Sequence, residues 1–320
     1  MTRWTADDIP PLTGRHAVVT GANSGLGFHT ALELARHGAD VTLAVRDRAK
    51  GERSLAALRA ELATTPGGGA AELADLDLAS LASVRSFADG LVASGRDLHV
   101  LVNNAGVMAI PRRETADGFE MQLGTNHLGH MALTLRLLPA LVRTGSAGTA
   151  SRVVTVSSGA HRMGRIDLDD LMGERQYRSW GAYGQSKLAN LLFAFELQRR
   201  LDAHALPVGS YAAHPGYAST NLQAVGPQMR GSRIGARLAG WGNAVLGQSA
   251  AMGALPTLYA ASVTGLAPGS YVGPDGFLEQ RGYPTLVSTT PAARDESTAA
   301  ALWERSEELI GVRFDDVVAA

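Results

Sequence analysis

Two side chains that could act together in proton transfer stand four residues apart in the run Trp180 to Lys187. If this run is helical, the phenol of Tyr183 and the ammonium of Lys187 rise from one face, about 6 Å apart along the axis. Because a nearby cation favours an ionised phenol, we expect Lys187 to bring the pKa of Tyr183 toward the range useful for general acid and base catalysis. By itself the spacing more often places a half-buried ring beside a solvated charge, so a catalytic role requires support from residues elsewhere in the chain.

A glycine-rich turn near the N-terminus has the setting of a phosphate-binding loop. The predicted strand Ala17 to Val19 runs into Thr20 to Gly27, and a helical pattern follows. Glycines let the backbone turn sharply and approach a pyrophosphate, whose charge is favoured by the N-terminus of the helix behind it. The glycines stand at 21, 25 and 27, which is not the G-x-G-x-x-G spacing. The strand before the turn and the helix after it therefore carry the nucleotide interpretation.

Both kinds of cofactor-selecting residue follow the second predicted strand, Val41 to Val45. An acidic residue there binds the free ribose 2′-hydroxyl of NAD, whereas an arginine accommodates the 2′-phosphate of NADP. We assign Asp47 to the N-cap of the next helix and Arg46 to the phosphate. This assignment favours NADP (NADPH) and leaves NAD possible; the alternative is that Arg46 is a solvated surface charge.

The secondary structure around these residues is indicated by an alternation of short apolar β-type runs with longer helical patterns. Such alternation is typical of a parallel sheet covered by helices on both faces. We predict strands at 16–19, 41–45, 72–75, 98–103, 152–157, 208–213 and, shorter, 270–272. We predict helices at 25–36, 47–63, 81–93, 119–142, 182–201, 253–261 and 297–309. The predicted fold class is α/β, a single Rossmann-type doubly wound parallel sheet of about seven strands, with residues 1–320 as one domain.

Residues 221–249 interrupt this alternation. Scattered apolar side chains stand there among many glycines. A mobile apolar flap over a binding site has this composition, and so does a helical insert packed permanently on the core. The two interpretations are equally consistent with the sequence.

Composition restricts the function classes. Among 320 residues, 29 basic and 30 acidic side chains give a net charge of -1, so no global field would attract nucleic acid. A small-molecule partner is the better expectation. The chain has no cysteine, which excludes thiolate metal ligands and nucleophiles and fits a reducing compartment. The N-terminal residues hold no apolar stretch of signal-peptide type, so we expect a cytoplasmic protein without a membrane anchor.

Taken together, these residues resemble the short-chain dehydrogenase/reductase family, from Thr20 to about Pro284. The glycine turn matches the family's own, and further family motifs are matched by Asn103-Asn104-Ala105-Gly106, by Ser158 at a strand end, by Asn126, and by Tyr183-x-x-x-Lys187. The runs 126–130, 186–190 and 214–216 resemble the branch of retinol dehydrogenases and related reductases of apolar carbonyls.

The resemblance implies a catalytic set of Asn126, Ser158, Tyr183 and Lys187. Tyr183 would donate a proton to the carbonyl oxygen and Ser158 would hydrogen-bond the same oxygen. Lys187 would bind the nicotinamide ribose and lower the pKa of Tyr183. Asn126 would hold a water in the proton relay behind Lys187.

The resemblance also implies the cofactor-binding residues. Asp77 would meet the adenine edge, Asn103 would line the adenosine side with Ala105 and Gly106, and Thr220 would approach the nicotinamide amide or the phosphates. The full predicted set is Gly21, Asn23, Ser24, Gly25, Leu26, Gly27, Arg46, Asp77, Leu78, Asn104, Ala105, Gly106, Tyr183, Lys187, Pro215, Gly216 and Thr220. No metal site is expected: His127 and His130, three residues apart, lack a third ligand at a comparable offset and are better explained as core or second-layer histidines.

This chain departs from the family's commonest arrangement in one place that bears on the substrate. The gap between Ser158 and Tyr183 is long, and it carries Arg162, Arg165, Arg175 and Arg178, so one edge of the site mouth could be polar. The helix that carries Tyr183 has an apolar face of Leu188, Leu191, Leu192, Phe195 and Leu197, which would pack inward or meet a second copy in a homodimer or homotetramer.

The sequence thus predicts an NADP-dependent oxidoreductase that interconverts an alcohol with an aldehyde or ketone, with an apolar substrate. The alternative is a cofactor-binding regulator or scaffold that keeps the fold without turnover. An intact set of four catalytic side chains argues against that alternative. A light-dependent pigment reductase of similar architecture is disfavoured because such enzymes use a cysteine near the substrate.

Overall fold

One eight-stranded sheet forms the centre of the computed structural model, which describes residues 3–217 and 248–319. The strands are β1 (His16–Thr20), β2 (Asp40–Val45), β3 (Ala71–Asp75), β4 (Val100–Asn103), β5 (Ser151–Val156), β6 (Val208–Ala213), β7 (Tyr271–Pro274) and β8 (Pro284–Leu286). Their order is β3-β2-β1-β4-β5-β6-β7-β8, and all pair in parallel except β8, which is antiparallel to β7. The predicted α/β class and doubly wound parallel sheet are confirmed.

Helices cover both faces of this sheet. They are α1 (Gly25–Arg36), α2 (Arg48–Leu62), α3 (Leu81–Ala93), α4 (Met121–Leu123), α5 (Gly129–Ser146), α6 (Ser179–Ala203), α7 (Ala250–Ser262), α8 (Glu296–Ile310) and α9 (Phe314–Ala319). Five of them begin at a side chain that accepts the N3 backbone N–H, namely Asp47, Ser80, Glu120, Ser249 and Asp295. The predicted capping role of Asp47 is confirmed.

The core lies in two layers because strand side chains alternate between the faces of the sheet. Val18 packs into the layer beneath α3, α5 and α6, whereas Ala17 and Val19 pack into the layer beneath α1, α2 and α7. All five side chains of β1 are buried, which is expected of a central parallel strand covered on both sides.

Three features differ from the predicted elements. Strand β8 was not predicted, since a three-residue edge strand has too short a pattern to detect. The helix predicted at 119–142 contains one turn of π-helix, Gly124–Leu128, between α4 and α5. The short helix α9 was not predicted either. This π-helical turn contains Asn126, one of the predicted catalytic residues.

The apolar face of α6 packs within this chain. Leu188, Leu191, Leu192, Phe195 and Leu197 are all buried, and α8 lies against α6. Of the two interpretations of this face, inward packing is therefore the one observed. A homodimer or homotetramer stays a prediction and requires another surface.

The predicted flap and Thr220 lie outside the described residues, except for Gln248 and Ser249. Gln248 is held by three hydrogen bonds: its N–H donates to the carbonyl of Tyr217 at 3.0 Å, its side-chain nitrogen donates to the carbonyl of Pro215 at 2.7 Å, and its side-chain oxygen accepts the N–H of Gly282 at 3.1 Å. Within 3–217 and 248–319, no helix combines the length and apolar character needed to cross a membrane.

Candidate active site

A cleft of about 1360 Å³ opens at the carboxyl ends of the parallel strands. The strand order reverses at β1, which pairs with both β2 and β4. Ligands of open α/β sheets bind at such a reversal, because the loops that leave neighbouring strands there turn to opposite faces. The cleft extends from the glycine turn, past the catalytic candidates on β5 and α6, to the loop between β7 and β8.

The glycine turn forms one wall of the cleft. Gly21 and Gly25 have φ angles of +66° and +55°, a region that favours glycine. A Cβ at position 27 would lie 2.5 Å from Asn104 Nδ2 and 2.6 Å from the carbonyl oxygen of Gly21. The turn therefore packs directly on the Asn-Asn-Ala-Gly segment and presents the N-terminus of α1 to the cleft.

Thr20 fixes the Asn-Asn-Ala-Gly segment against this turn. Its Oγ1 accepts the backbone N–H groups of Asn104 at 2.9 Å and Ala105 at 3.0 Å, and the Asn104 side chain donates to its carbonyl oxygen. Asn104 and Ala105 line the cleft. The expectation that Asn103 lines it is wrong: this residue is fully buried, and its amide donates to Thr134.

Two cations line the end of the cleft beyond the glycine turn. Arg46 and Lys50 are exposed there, beside Asp47. The Asp47 carboxylate accepts the N–H of Lys50 and lies 3.1 Å from Lys50 Nζ, contacts that lower its pKa. Asp47 is thus engaged in capping α2, while Arg46 forms no ion pair among the described residues. Sequence reasoning missed Lys50, although its place one turn into α2 was a usable signal.

The catalytic candidates Ser158, Tyr183 and Lys187 converge on the middle of the cleft. Ser158 follows β5, where it accepts the N–H of Ala160, and its hydroxyl hydrogen-bonds the phenol of Tyr183. The neighbouring Ser157 instead donates to the carbonyl oxygen of Lys187 at 2.7 Å. Of the two adjacent serines, only Ser158 is therefore engaged with the phenol.

Burial dominates the ionisation of the Tyr183 and Lys187 pair. It raises the pKa of Tyr183 to about 12, against the hydrogen bond from Ser158. Burial also lowers the pKa of Lys187 to about 8. Lys187 Nζ lies 5.8 Å from the centre of the phenol ring and donates to the carbonyl oxygen of Val156. The expected lowering of the Tyr183 pKa by Lys187 is not observed, because both groups are withdrawn from water and the ammonium is directed elsewhere.

Replacing Lys187 with methionine is expected to stabilise the cofactor-free protein at pH 7. A base whose pKa falls from 10.5 to about 8 on folding destabilises the folded state wherever both states are protonated. The gain is of the order of 3 kcal/mol below pH 8, reduced by the lost contact with Val156. It should shrink as the pH rises from 8 to 10.5, because the lysine then becomes neutral in the unfolded chain as well.

Paired denaturation curves of the wild type and Lys187→Met at several pH values measure this difference. The matched control is Lys50→Met, which removes an exposed ammonium and should leave stability nearly unchanged. A destabilised Lys187→Met at pH 7 would contradict the expectation.

Asn126 lies behind the cleft, in the π-turn. Its side chain accepts the N–H of Val107 at 2.8 Å and donates to the Val107 carbonyl and to Ser186 Oγ. Ser186 in turn donates to the carbonyl of Tyr183. Asn126 thus joins the segment after Gly106 to the helix that carries Tyr183 and Lys187, and it is not itself a lining residue.

The other predicted cofactor residues line the cleft, except for Thr220. The lining residues are Gly21, Asn23, Ser24, Gly25, Leu26, Gly27, Asp77, Leu78, Gly106, Pro215 and Gly216. The exception is Thr220, which is outside the part of the chain that the structure describes. The geometry therefore brings together, along one cleft, residues that lie far apart in the sequence.

The part of the cleft formed by the β7–β8 loop was not predicted from the sequence. Glu279, in the β7–β8 loop, accepts from Arg162 at 2.8 Å and lies 3.1 Å from His214 Nε2, though poorly aligned with it. These neighbours lower the pKa of Glu279 to about 2. Arg162 alone of the four arginines in the 159–179 insertion lines the cleft, so the predicted polar edge is one ion pair. Nothing in the sequence signalled the partner Glu279.

Large apolar side chains surround this ion pair at the mouth of the cleft. Met163, Trp180 and Leu278 line the cleft and are more than half exposed. Phe277, beside Leu278, is 84% exposed. Leu278 and Glu279 both have positive φ angles, a conformation that is uncommon for residues other than glycine. The substrate end of the cleft therefore combines one ion pair with an apolar rim.

Within residues 3–217 and 248–319, no three or more histidine or acidic side chains are clustered so that they could hold a metal ion. His127 and His130 are directed to different partners, Ser306 and Thr20 respectively. They do not share a site.

Comparison with known proteins places these motifs in one family. A sequence model described as short chain dehydrogenase matches residues 15–230. The chain is 44% identical to the polyprenol dehydrogenase of Mus musculus over 311 residues, which cover 96% of this chain and 87% of that protein. It is 40% identical to retinol dehydrogenase 12 of Homo sapiens over 306 residues, covering 95% and 89% of the two chains.

Solved structures agree with the sequence comparison. A crystal structure of an uncharacterised protein from Mycobacterium paratuberculosis superposes with a TM-score of 0.79 at 47% identity, covering 98% of this chain and 99% of the other. Solved structures at 26% and 27% identity include complexes with NADP.

Proposed function

The chain belongs to the short chain dehydrogenase family, and on that premise we propose that it is an NADP-dependent oxidoreductase interconverting an apolar alcohol with its aldehyde or ketone. The observation that carries the proposal is the convergence of Ser158, Tyr183 and Lys187 on one cleft with the glycine turn. Phosphate-binding geometry and a proton donor on a common cleft are the two parts that hydride transfer to a carbonyl requires.

The residues of the cleft fit a dinucleotide. The two positive φ angles and the close packing at Gly27 leave the backbone free of side chains where a pyrophosphate would approach the N-terminus of α1. Arg46 and Lys50 supply positive charge where a 2′-phosphate would lie, and the capping role of Asp47 withdraws the acidic group that a free 2′-hydroxyl would need. This charge arrangement supports NADP over NAD.

In the proposed mechanism the side chains manage the proton, and the bound nicotinamide supplies or accepts the hydride. Tyr183 donates its phenolic proton to the carbonyl oxygen in reduction. Ser158, already hydrogen-bonded to that phenol, places a second donor where negative charge develops. The ammonium of Lys187, in the same buried site, favours the tyrosinate that remains after proton transfer.

An apolar substrate is supported by the rim of Met163, Trp180 and Leu278. Two relatives with 40–44% identity are named for polyprenol and retinol, both long apolar alcohols. The Arg162–Glu279 pair is self-neutralising, so it would not demand a charged substrate.

The proposal is tested by cofactor consumption. NADPH and NADH would be offered to the purified protein with a panel of aliphatic, aromatic and retinoid-like aldehydes and ketones. We expect faster consumption of NADPH, and higher kcat/KM with the longer apolar members. Tight NADPH binding without consumption across the panel would instead favour a cofactor-binding regulator, and absence of binding to either nucleotide would exclude both functions.

A further inference from the structure

A buried imidazole joins the glycine turn to the π-turn. His130, near the start of α5, is 1% exposed. Its Nδ1 lies 2.9 Å from the main-chain carbonyl oxygen of Asn126, and its Nε2 lies 2.9 Å from Thr20 Oγ1. A carbonyl oxygen can only accept, so Nδ1 must carry the hydrogen. In the neutral ring Nε2 then accepts from the Thr20 hydroxyl.

The neutral form is the one that this environment favours. Burial lowers the pKa of His130 to about 4, and the charge of Lys187 acts in the same direction against the hydrogen bond to Asn126. A doubly protonated ring would have no acceptor for Thr20. At neutral pH both hydrogen bonds of the ring are therefore retained.

The Thr20 hydroxyl depends on this acceptor. A hydroxyl offers two lone pairs and one hydrogen. The lone pairs of Thr20 Oγ1 take the N–H groups of Asn104 and Ala105, which leaves one hydrogen to donate. His130 Nε2, at 2.9 Å, is closer to that hydroxyl than the alternative acceptor, the Val102 carbonyl at 3.2 Å. The imidazole thereby completes the bonding of the residue that holds the cofactor wall.

At the other end, the imidazole fixes the backbone of Asn126 within the π-turn. The side chain of Asn126 reaches Ser186, and Ser186 reaches the carbonyl of Tyr183. One ring thus lies between the cofactor wall and the helix that carries the proton donor.

We propose that His130 is a positioning residue that couples the cofactor-binding turn, through Thr20, to the catalytic π-turn, through the carbonyl of Asn126. The proposal rests on the proposed function, because it concerns where the cofactor and the proton donor sit relative to each other. His130 touches neither substrate nor cofactor in this arrangement.

Two substitutions separate the two bonds. In His130→Asn the amide nitrogen takes the place of Nδ1, so the bond to the Asn126 carbonyl can persist while Thr20 loses its acceptor. In His130→Gln the amide oxygen can reach the place of Nε2, so Thr20 keeps an acceptor while the Asn126 carbonyl loses its donor. Loss of one buried partner is expected to change the affected parameter about tenfold.

We expect His130→Asn to raise the Kd for NADPH with a smaller change in kcat, and His130→Gln to lower kcat with a smaller change in that Kd. The matched controls are His127→Asn and His127→Gln. His127 is a buried imidazole one turn earlier, but it contacts Ser306 and Phe193 away from the cleft. The controls should lower the melting temperature alone. If the His130 variants also change only the melting temperature, the coupling role is refuted.

A measurement on the wild type keeps the test independent of variant folding. Nitrogen NMR of histidine-labelled protein should show His130 as the Nδ1–H tautomer, and NADPH should shift its Nε2 resonance more than that of His127. Equal or absent shifts, with NADPH bound, would overturn the proposal. NADPH binding and this spectrum do not require turnover, so an inactive wild type would count against the proposed function alone.

Discussion

Tyr183→Phe is expected to lower kcat/KM by roughly 10²- to 10⁴-fold, the range typical of losing a general acid. In the proposed mechanism the phenol is the proton donor, and it meets Ser158 in the cleft. Phenylalanine keeps the buried ring, with its edge contact to Trp180, and removes only the hydroxyl. Steady-state oxidation of NADPH with the best carbonyl of the panel measures the effect.

A second tyrosine provides the control for this substitution. The Tyr177 hydroxyl donates to the carbonyl oxygen of Ile110 and accepts from Gln122, and it does not line the cleft. Tyr177→Phe should lower stability and keep activity near that of the wild type. The Kd for NADPH should be unchanged in Tyr183→Phe. Equal losses of activity in the two variants would show that the Tyr183 effect is structural rather than catalytic.

Arg46→Ala is expected to weaken NADPH binding by roughly 10- to 100-fold, as for the loss of a charge-assisted hydrogen bond. NADH lacks the 2′-phosphate, so its affinity should change little. Titration of both nucleotides by calorimetry or by cofactor fluorescence measures the two Kd values. Lys50→Ala should show the same selectivity with a smaller effect, because its ammonium is shared with Asp47.

Arg48→Ala is the control. Arg48 is exposed like Arg46 and Lys50, but it pairs with Asp75 and Glu52 and does not line the cleft. Its loss should leave both affinities near those of the wild type. If Arg46→Ala weakened NADPH and NADH equally, the assignment of Arg46 to a 2′-phosphate would be wrong.

Local patterns were sufficient for most of the fold. The strand at 208–213 and the helix at 25–36 were predicted with the bounds that the structure has, because each is a long run of one periodicity with clear ends. Strand β8 was missed, since three residues at a sheet edge are stabilised by pairing rather than by their own pattern. Because β8 was not predicted, the loop before it, with Glu279, was not recognised as part of the site.

Within the site, the order of the motifs predicted which residues come together, but it did not predict their protonation states. One cleft is lined by residues of the glycine turn and of the Asn-Asn-Ala-Gly segment, and by Ser158, Tyr183 and Lys187. The pKa of Tyr183, however, is raised rather than lowered, because burial outweighs the charge of a lysine whose ammonium is directed at Val156. Desolvation depends on every neighbouring element, and sequence spacing does not measure it.

The α/β class, the family and the residue types that could perform the chemistry can be read from the sequence alone, because these depend on local periodicity and on motifs a few residues long. How those residues are connected depends on tertiary contacts. The hydrogen bonds from Thr20 to His130, 110 residues apart, and from Asn126 to Ser186, 60 residues apart, form only when the sheet brings the ends of separate elements together. The inward packing of α6 and the Arg162–Glu279 ion pair also form only in the assembled fold. Each is a contact between distant segments, for which a single sequence holds no local signal.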